Sequence, residues 1–136
     1  MRPEFSLPSP FSDWLGRTVV GADLERGEIE VHYRPPAEAR NRLGLIAGGA
    51  LAGMLDSLTA LVALCILPEG EIAVHRSLSV EYLRPATTDS FRGFGRALGR
   101  EGDAVRTTGE LRDADDRVLA RASAELRVRR SPKSDV

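Results

Sequence analysis

The 136-residue sequence contains one cysteine, Cys65, which excludes an intrachain disulfide and a cysteine-ligated metal cluster. Neither charge sign predominates, because 19 Lys and Arg against 20 Asp and Glu give a formal net charge of −1. This balance provides no broad attraction for nucleic acid or an anionic membrane, and we expect neither partner. The first 16 residues have three prolines and no apolar segment typical of a secretory signal. Together with the lone cysteine, this favours a cytoplasmic protein.

Charge is also scarce in the middle of the chain, where Asp56 is the one charged residue between Arg42 and Glu69. The stretch 43–68 is long enough to cross a bilayer. A carboxylate at its centre would, however, cost about 2.5–3.5 kcal/mol on insertion. Its four glycines also lower its hydrophobicity. We therefore expect a buried helix of a globular protein and no membrane span.

The residues around this helix predict strands. Residues 17–24 and 28–34 are typical of a hairpin, and residues 35–47 predict a connecting loop. The helix should begin at Gly48 or Gly49 and end near Leu67, before Pro68. Four strand patterns follow it. A single helix that is apolar nearly all round must be enclosed, so the order predicts an α+β fold with a curved antiparallel sheet of five to six strands around one central helix.

The expected domain occupies residues 11–130, after a flexible lead, 1–10, and before a tail, 131–136. A short helical turn is predicted around the sequence FSDWLG. The clearest alternation belongs to the last strand, which places one set of side chains inward: Val118, Ala120, Ala122, Ala124, Leu126 and Val128. It places a second set outward: Leu119, Arg121, Ser123, Glu125, Arg127 and Arg129. On the first strand after the helix, the pattern predicts one shared face: Val74, Leu78, Val80 and Tyr82.

At 3.6 residues per turn the helix has two unlike faces. The bulky face, which should pack on the sheet, comprises Leu51, Met54, Leu55, Leu58, Leu61, Val62 and Cys65. The other face carries small residues around Asp56, and should meet a partner or line a groove: Gly49, Ala52, Gly53, Thr59, Ala60 and Ala63. One interpretation of Asp56 is a structural carboxylate bonded to backbone or to an arginine at a subunit contact. The other is a catalytic acid.

The sequence at the start of the helix favours the catalytic interpretation of Asp56. The free N–H groups of Gly48 and Gly49 can polarise a carbonyl or bind an oxyanion. Gly48 and Asp56 are eight residues apart, or about 12 Å along the axis. A reacting carbonyl must lie about 3 Å from both its donor and its attacking group. One helix cannot meet both conditions, but two antiparallel helices related by a two-fold axis can. A catalytic Asp56 therefore predicts at least a homodimer.

The spacing N-x-x-G-x-x-A-G-G-x6-D, from Asn41 to Asp56, is followed by EYLRPA at 81–86. In this combination the chain resembles the hotdog-fold acyl-CoA thioesterases, most closely their phenylacetate-pathway (PaaI-like) branch, over roughly residues 15–129. The resemblance implies a hotdog fold assembled as dimers and often as dimers of dimers. It implies hydrolysis of an acyl-CoA thioester, without a metal or redox cofactor. By the same resemblance, the Gly48 N–H, with Gly49, polarises the carbonyl, the partner's Asp56 is base or nucleophile, and Asn41 holds the water or the leaving thiolate.

The sequence departs from this family at Ala47, where the motif has a histidine. Two readings of His75 stay open: a functional substitute for that histidine, or a solvated or interfacial side chain. Thr59, one turn beyond Asp56, is either an orienting hydroxyl or helix filler. Arg84 either binds CoA phosphates or pairs with a carboxylate. Because of Ala47, a non-catalytic protein that binds acyl-CoA or acyl groups is the alternative function.

Overall fold

The computed structural model describes residues 5, 7 and 9–131. The predicted lead, 1–10, and tail, 131–136, fall largely outside these residues, and both stay predictions. The helices are α1, Pro10–Trp14, and α2, Gly48–Ala63, which a 3-10 turn extends over Leu64–Ile66. The strands are β1, Thr18–Asp23; β2, Glu28–Tyr33; β3, Glu71–Tyr82; β4, Phe91–Glu101; β5, Ala104–Arg112; and β6, Val118–Arg130. The hairpin, the central helix, the helical turn and all four later strands are confirmed.

The six strands form one antiparallel sheet in the order β1-β2-β4-β5-β6-β3, and α2 packs against its inner face. This enclosed helix is the hotdog architecture that the resemblance implies. The stretch Gly48–Ile66 is apolar enough to cross a membrane by length and composition, yet 61% of it is buried inside the fold. The expected buried helix is therefore confirmed.

Glycines in the sheet let α2 approach closely. Gly95 of β4 and Gly109 of β5 are register partners beneath Leu58 of the helix. A Cβ atom at Gly95 would lie 3.0 Å from side-chain atoms of Ile29 and Val62 and 3.1 Å from Leu58 Cδ1. Such distances are shorter than ordinary van der Waals contacts, so a larger residue would push the helix off the sheet.

A bulge in β3 changes which side chains of this strand share a face. The register passes from the pair His75–Leu126 directly to Ser77–Glu125, which leaves Arg76 unpaired. Such an insertion reverses the alternation. Val74 is consequently exposed on the outer face, whereas Leu78 and Val80 face the helix. The prediction that Val74 shares their face is wrong.

A second register shift separates Leu111 and Arg112 of β5, which pair with Ala120 and Val118. Leu119 of β6 lies at that shift and is buried in the core instead of facing outward. The rest of the β6 alternation agrees with the buried positions Ala120, Ala122, Ala124 and Leu126.

The small-residue face of α2 is also narrower than predicted. Thr59 and Ala63 are fully buried, and Gly53 is covered by Phe11 of α1, whose ring atom would lie 2.6 Å from a Cβ at that glycine. Ala52, Asp56 and Ala60 remain partly accessible, and Gly48 and Gly49 are exposed. We call the line formed by Gly49, Ala52, Asp56 and Ala60 the open stripe of α2.

We predict that Gly95→Ala lowers the free energy of unfolding by about 1–3 kcal/mol, since the added methyl group overpacks three neighbours at once. Urea unfolding measures the change. Gly21→Ala in β1 is the matched control, because nothing lies within 4 Å of its Cβ position. A Gly95→Ala midpoint equal to that of the wild-type protein would contradict this packing.

Candidate active site

The start of α2 presents free backbone donors. Its N-cap, Ala47, has extended backbone angles, φ −60° and ψ 142°, and makes no side-chain cap. The N–H groups of Ala50 and Leu51 bond to the Ala47 carbonyl. Among the described residues, no group accepts a hydrogen bond from the Gly48 or Gly49 N–H. A helix start of this kind attracts an oxyanion or a polarised carbonyl.

Tyr82, at the end of β3, fixes this helix start in place. Its hydroxyl donates to the Gly48 carbonyl at 2.9 Å, and its ring lies 3.4 Å from the Cβ position of Gly48. The EYLRPA motif contributes a second anchor, because the Ala86 carbonyl accepts the Ile46 N–H at 3.0 Å. The motif therefore holds the loop that enters α2.

Asn41 shapes the same loop. Its Oδ1 accepts the N–H groups of Leu43 at 2.9 Å and Leu45 at 3.3 Å, while Gly44 adopts a left-handed φ of 79°. Arg40 binds the Gly44 carbonyl and the carboxylate of Asp89. The Asn41 oxygen is thus used within the loop, so this side chain retains only its amide N–H groups for a ligand. The predicted contact with water or thiolate stays a prediction.

Asp56 lies on the open stripe and contacts His75 of β3. The Asp56 Oδ1 atom is 3.1 Å from His75 Nδ1, and the Asp56 side chain is 51% exposed in the single chain. Among the described residues of the single chain, the partner of this carboxylate is therefore His75 and not an arginine. One alternative for His75 was a solvated side chain. The structure instead places the ring against the Asp56 carboxylate, and its side chain is only 19% exposed.

The bulge at Arg76 explains the orientation of the ring. Because His75 pairs with the fully buried Leu126, both side chains point towards α2. Continuous alternation through Ser77 and Ser79 would have placed His75 outward. One inserted residue thus converts an exposed position into a contact with the helix.

Thr59 completes the cluster. Its hydroxyl is 2.8 Å from His75 Nε2 and 2.7 Å from the Leu55 carbonyl. A hydroxyl has one proton and donates to one of these acceptors at a time. When the ring is neutral with its proton on Nδ1, Thr59 donates to Nε2 and His75 donates to Asp56. Thr59 therefore orients the ring as well as packing in the helix.

The pKa of His75 lies below its ordinary value, because burial disfavours the charged ring and outweighs the opposing effect of the Asp56 carboxylate. Near neutral pH the ring is accordingly a neutral donor to Asp56. In that state His75 holds the carboxylate in one orientation without adding a positive charge beside it.

Arg84 follows Tyr82 by two residues in the EYLRPA motif. Its Nη1 donates to the Val118 carbonyl at 2.7 Å, and among the described residues it makes no ion pair. Among the described residues its partner is thus a backbone carbonyl, and no carboxylate pairs with it there. Contact with CoA phosphates stays a prediction.

A polar network beside Asp56 escaped the sequence analysis. Ser57 Oγ accepts from Arg17 Nη1 at 2.7 Å and lies 3.0 Å from both Ser12 Oγ and the Tyr33 hydroxyl. These residues are 24 to 45 positions away in the chain. Only the polar residue Ser57 beside Asp56 in an apolar helix could have pointed to this network. Within the described ranges, no three His, Cys, Asp or Glu side chains are grouped to hold a metal ion.

Comparison with known proteins agrees with this architecture. A family model described as the thioesterase superfamily matches residues 43–120, more than half of the chain. The chain belongs to the thioesterase superfamily. The matched stretch contains the helix start, Asp56, Thr59 and His75.

Two members of the superfamily are similar to this chain, each over a different share of its length. The proofreading thioesterase EntH of Klebsiella pneumoniae is 27% identical over 88 residues, which are 63% of this chain and 64% of that protein, so the match spans less than two thirds of that relative. A phenylacetic acid degradation-related protein from Ralstonia eutropha JMP134 is 31% identical, with a TM-score of 0.83 over 90% of this chain and 98% of that one. This second likeness confirms the resemblance to the phenylacetate branch.

A third protein shares the fold alone. The Streptococcus mutans UA159 structure bound to acetyl CoA is 18% identical, with a TM-score of 0.74 over 85% of this chain and 90% of that one.

We predict that the stability of the protein falls as the pH drops below about 6.5, the ordinary pKa of histidine. His75 has a lowered pKa in the folded state, so the unfolded chain binds more protons in this window and acid favours unfolding. Thermal unfolding between pH 7.5 and pH 5 should show a flatter pH dependence for His75→Asn than for the wild-type protein. Gly21→Ala, which changes no titratable group, is the control and should keep the wild-type slope. An equally steep slope in His75→Asn would contradict the assignment.

Proposed function

We propose that the protein hydrolyses an acyl-CoA thioester to the free acid and CoA, at two equal sites between the α2 helices of a homodimer. The observation that carries this proposal is the position of Asp56. The carboxylate lies on the open stripe of an otherwise enclosed helix, is held by His75, and is eight residues from an uncapped helix start. Membership in the thioesterase superfamily supplies the reaction class.

A CoA ester is the thioester that we infer as substrate. The fold accommodates such a molecule, because the Streptococcus mutans neighbour was solved with acetyl CoA. In this chain, Arg84 lies two residues beyond the tyrosine that contacts the helix start, with most of its donors unused by the described residues. A guanidinium suits phosphate oxygens, so we assign Arg84 to the phosphates of CoA.

We infer the dimer from the helix spacing, and β3 offers a contact surface for it. This strand has 12 residues, and in the described part of the chain it pairs with β6 on one side only. An edge strand of that length is a template for pairing with another chain. The opposite edge, β1, has six residues and a register shift that interrupts it. Two-fold pairing of β3 would bring His75 and Asp56 of each subunit towards the contact.

The chemistry then uses residues from both subunits. The N–H of Gly48, with that of Gly49, polarises the thioester carbonyl, and Ala47 and Gly49 leave room for the substrate beside the helix start. Asp56 of the other subunit acts as a general base on water or as a nucleophile. In the general-base route, Asp56 takes a proton from water as the oxygen bonds to the carbonyl carbon. The carbon–sulfur bond then breaks, and the proton goes to the CoA thiolate. Asn41 donates its amide N–H to the water or thiolate.

Ala47 favours one alternative, a protein that binds acyl-CoA without consuming it. The N-cap position has no imidazole beside the helix start. Thiol detection with a panel of acyl-CoA compounds, together with calorimetry, separates the two functions. Binding without thiol release supports the alternative, whereas release of CoA supports hydrolysis.

We predict that Asp56→Asn lowers turnover by at least about a hundredfold, because the amide cannot accept the proton or attack the carbonyl. The amide oxygen can still accept from His75, so the oligomer should be unchanged by light scattering. Free-thiol release measures turnover. Asp103→Asn, which removes a carboxylate paired with Arg127 outside the site, is the control. Wild-type turnover in Asp56→Asn would refute the mechanism.

A second prediction tests the backbone donor. Gly48→Pro removes the N–H at the first helical position, where proline is tolerated, and the extended angles of Ala47 suit a residue before proline. We expect kcat to fall about 10²- to 10³-fold, as for other lost oxyanion donors. Gly48→Ala is the matched control, because it keeps the N–H and adds a Cβ at ordinary contact distance from Tyr82. Equal kcat values in the two variants would count against Gly48 as donor.

A further inference from the structure

A cavity opens beside Asp56, between α1, α2 and the beginning of β3. Its volume is about 350 Å³, which is within the range of small-molecule sites. Most of the wall is apolar and includes Phe11, Ala60, Leu61 and Ile72. Its polar part consists of Asp56, Arg17 and three serines, Ser9, Ser12 and Ser57. An apolar wall with a few convergent polar groups is what an acyl group requires.

Arg17 is the unusual member of this lining. Its part-buried guanidinium donates to Ser57 Oγ at 2.7 Å, and this is its one hydrogen bond in the described part of the chain. A guanidinium has five N–H donors. No carboxylate of the described residues lies within ion-pair distance of it, although Asp56 lines the same cavity. A partly desolvated cation without an anion is unfavourable, so this site favours an anionic ligand.

The neighbouring hydroxyl groups do not supply that anion. Burial raises the pKa of Tyr33 to about 12, so the phenol beside Ser57 stays neutral. Ser57 and Ser12 are neutral as well. These groups instead hold Arg17 in place, since Ser57 Oγ is the common partner of Arg17, Tyr33 and Ser12.

We propose that Arg17 binds a carboxylate at the far end of the acyl group, and that the preferred substrates are CoA thioesters of short dicarboxylic acids. This inference rests on the proposed function and names its substrate class. The guanidinium fork matches the two oxygens of a carboxylate. Because Ser57 directly follows Asp56 and binds Arg17, a short chain connects the reacting carbonyl near Asp56 with the guanidinium. The methylene groups between them would lie against the apolar wall.

The test compares acyl groups that differ only at the far end. Succinyl-, glutaryl- and adipyl-CoA are each measured beside the methyl-terminated ester of equal chain length: butyryl-, valeryl- and hexanoyl-CoA. For at least one pair, kcat/KM of the wild-type protein should favour the carboxylate by at least about tenfold, as expected for hydrogen bonds to a charged group. Arg17→Met should abolish that preference, so that kcat/KM becomes equal within each pair. Arg17→Lys keeps the charge but loses the fork, and should retain part of the preference.

Equal kcat/KM values within all three wild-type pairs would overturn the inference while leaving hydrolysis intact, and this result does not depend on the folding of any variant. Retention of the preference in Arg17→Met would overturn it too. If the wild-type protein releases no CoA from any ester, hydrolysis fails, and calorimetry decides the inference separately. Tighter binding of glutaryl-CoA than of valeryl-CoA, lost in Arg17→Met, would still support Arg17 as the carboxylate site.

Discussion

The stiffness of one helix governs the arrangement of the site. Gly48 and Asp56 lie at fixed positions about 12 Å apart along α2, so no substrate carbonyl can touch both within one chain. The sheet and α1 cover the other sides of the helix. The residues left accessible include the exposed glycines at its start and the open stripe, which continues beyond Asp56 to Ala60. A second copy of the helix in the opposite direction would supply the donor that each Asp56 lacks.

One inserted residue in β3 gives the carboxylate its partner. The bulge at Arg76 turns His75 towards α2, where Thr59 and Asp56 contact its two nitrogens. The thioesterase motif that the sequence resembles has a histidine before the two glycines, at the position of Ala47 here. Within the single chain His75 supports the carboxylate, and its role as a substitute for the motif histidine stays a prediction. In this chain the N-cap residue, Ala47, has no capping side chain, whereas Asp56 has a histidine partner. Tyr82, at the end of β3, holds the start of the helix through its hydrogen bond to the Gly48 carbonyl.

The regular parts of the fold could be predicted from the sequence. The apolar run between Gly48 and Pro68 predicted the extent of α2, and strict alternation predicted the buried face of β6 from Ala120 onwards. The errors occur where a strand gains a residue, at Arg76 and Leu119, because a bulge leaves no mark on the hydrophobic pattern. Of the candidate site, only the residues that lie close together in the sequence could be predicted. The spacing identified Asp56 and the helix start, whereas the contacts of His75 and of Arg17 join distant segments that periodicity cannot bring together.

Subunit mixing tests most directly whether each site takes its acid and its donor from different chains. Asp56→Asn and Gly48→Pro subunits, each inactive alone, are unfolded together at equal concentration and refolded. Random pairing makes half of the dimers mixed, and each mixed dimer has one site with both groups intact, so about a quarter of wild-type activity should return. No recovery, in a mixture that mass spectrometry shows to contain mixed dimers, would contradict a site shared between subunits.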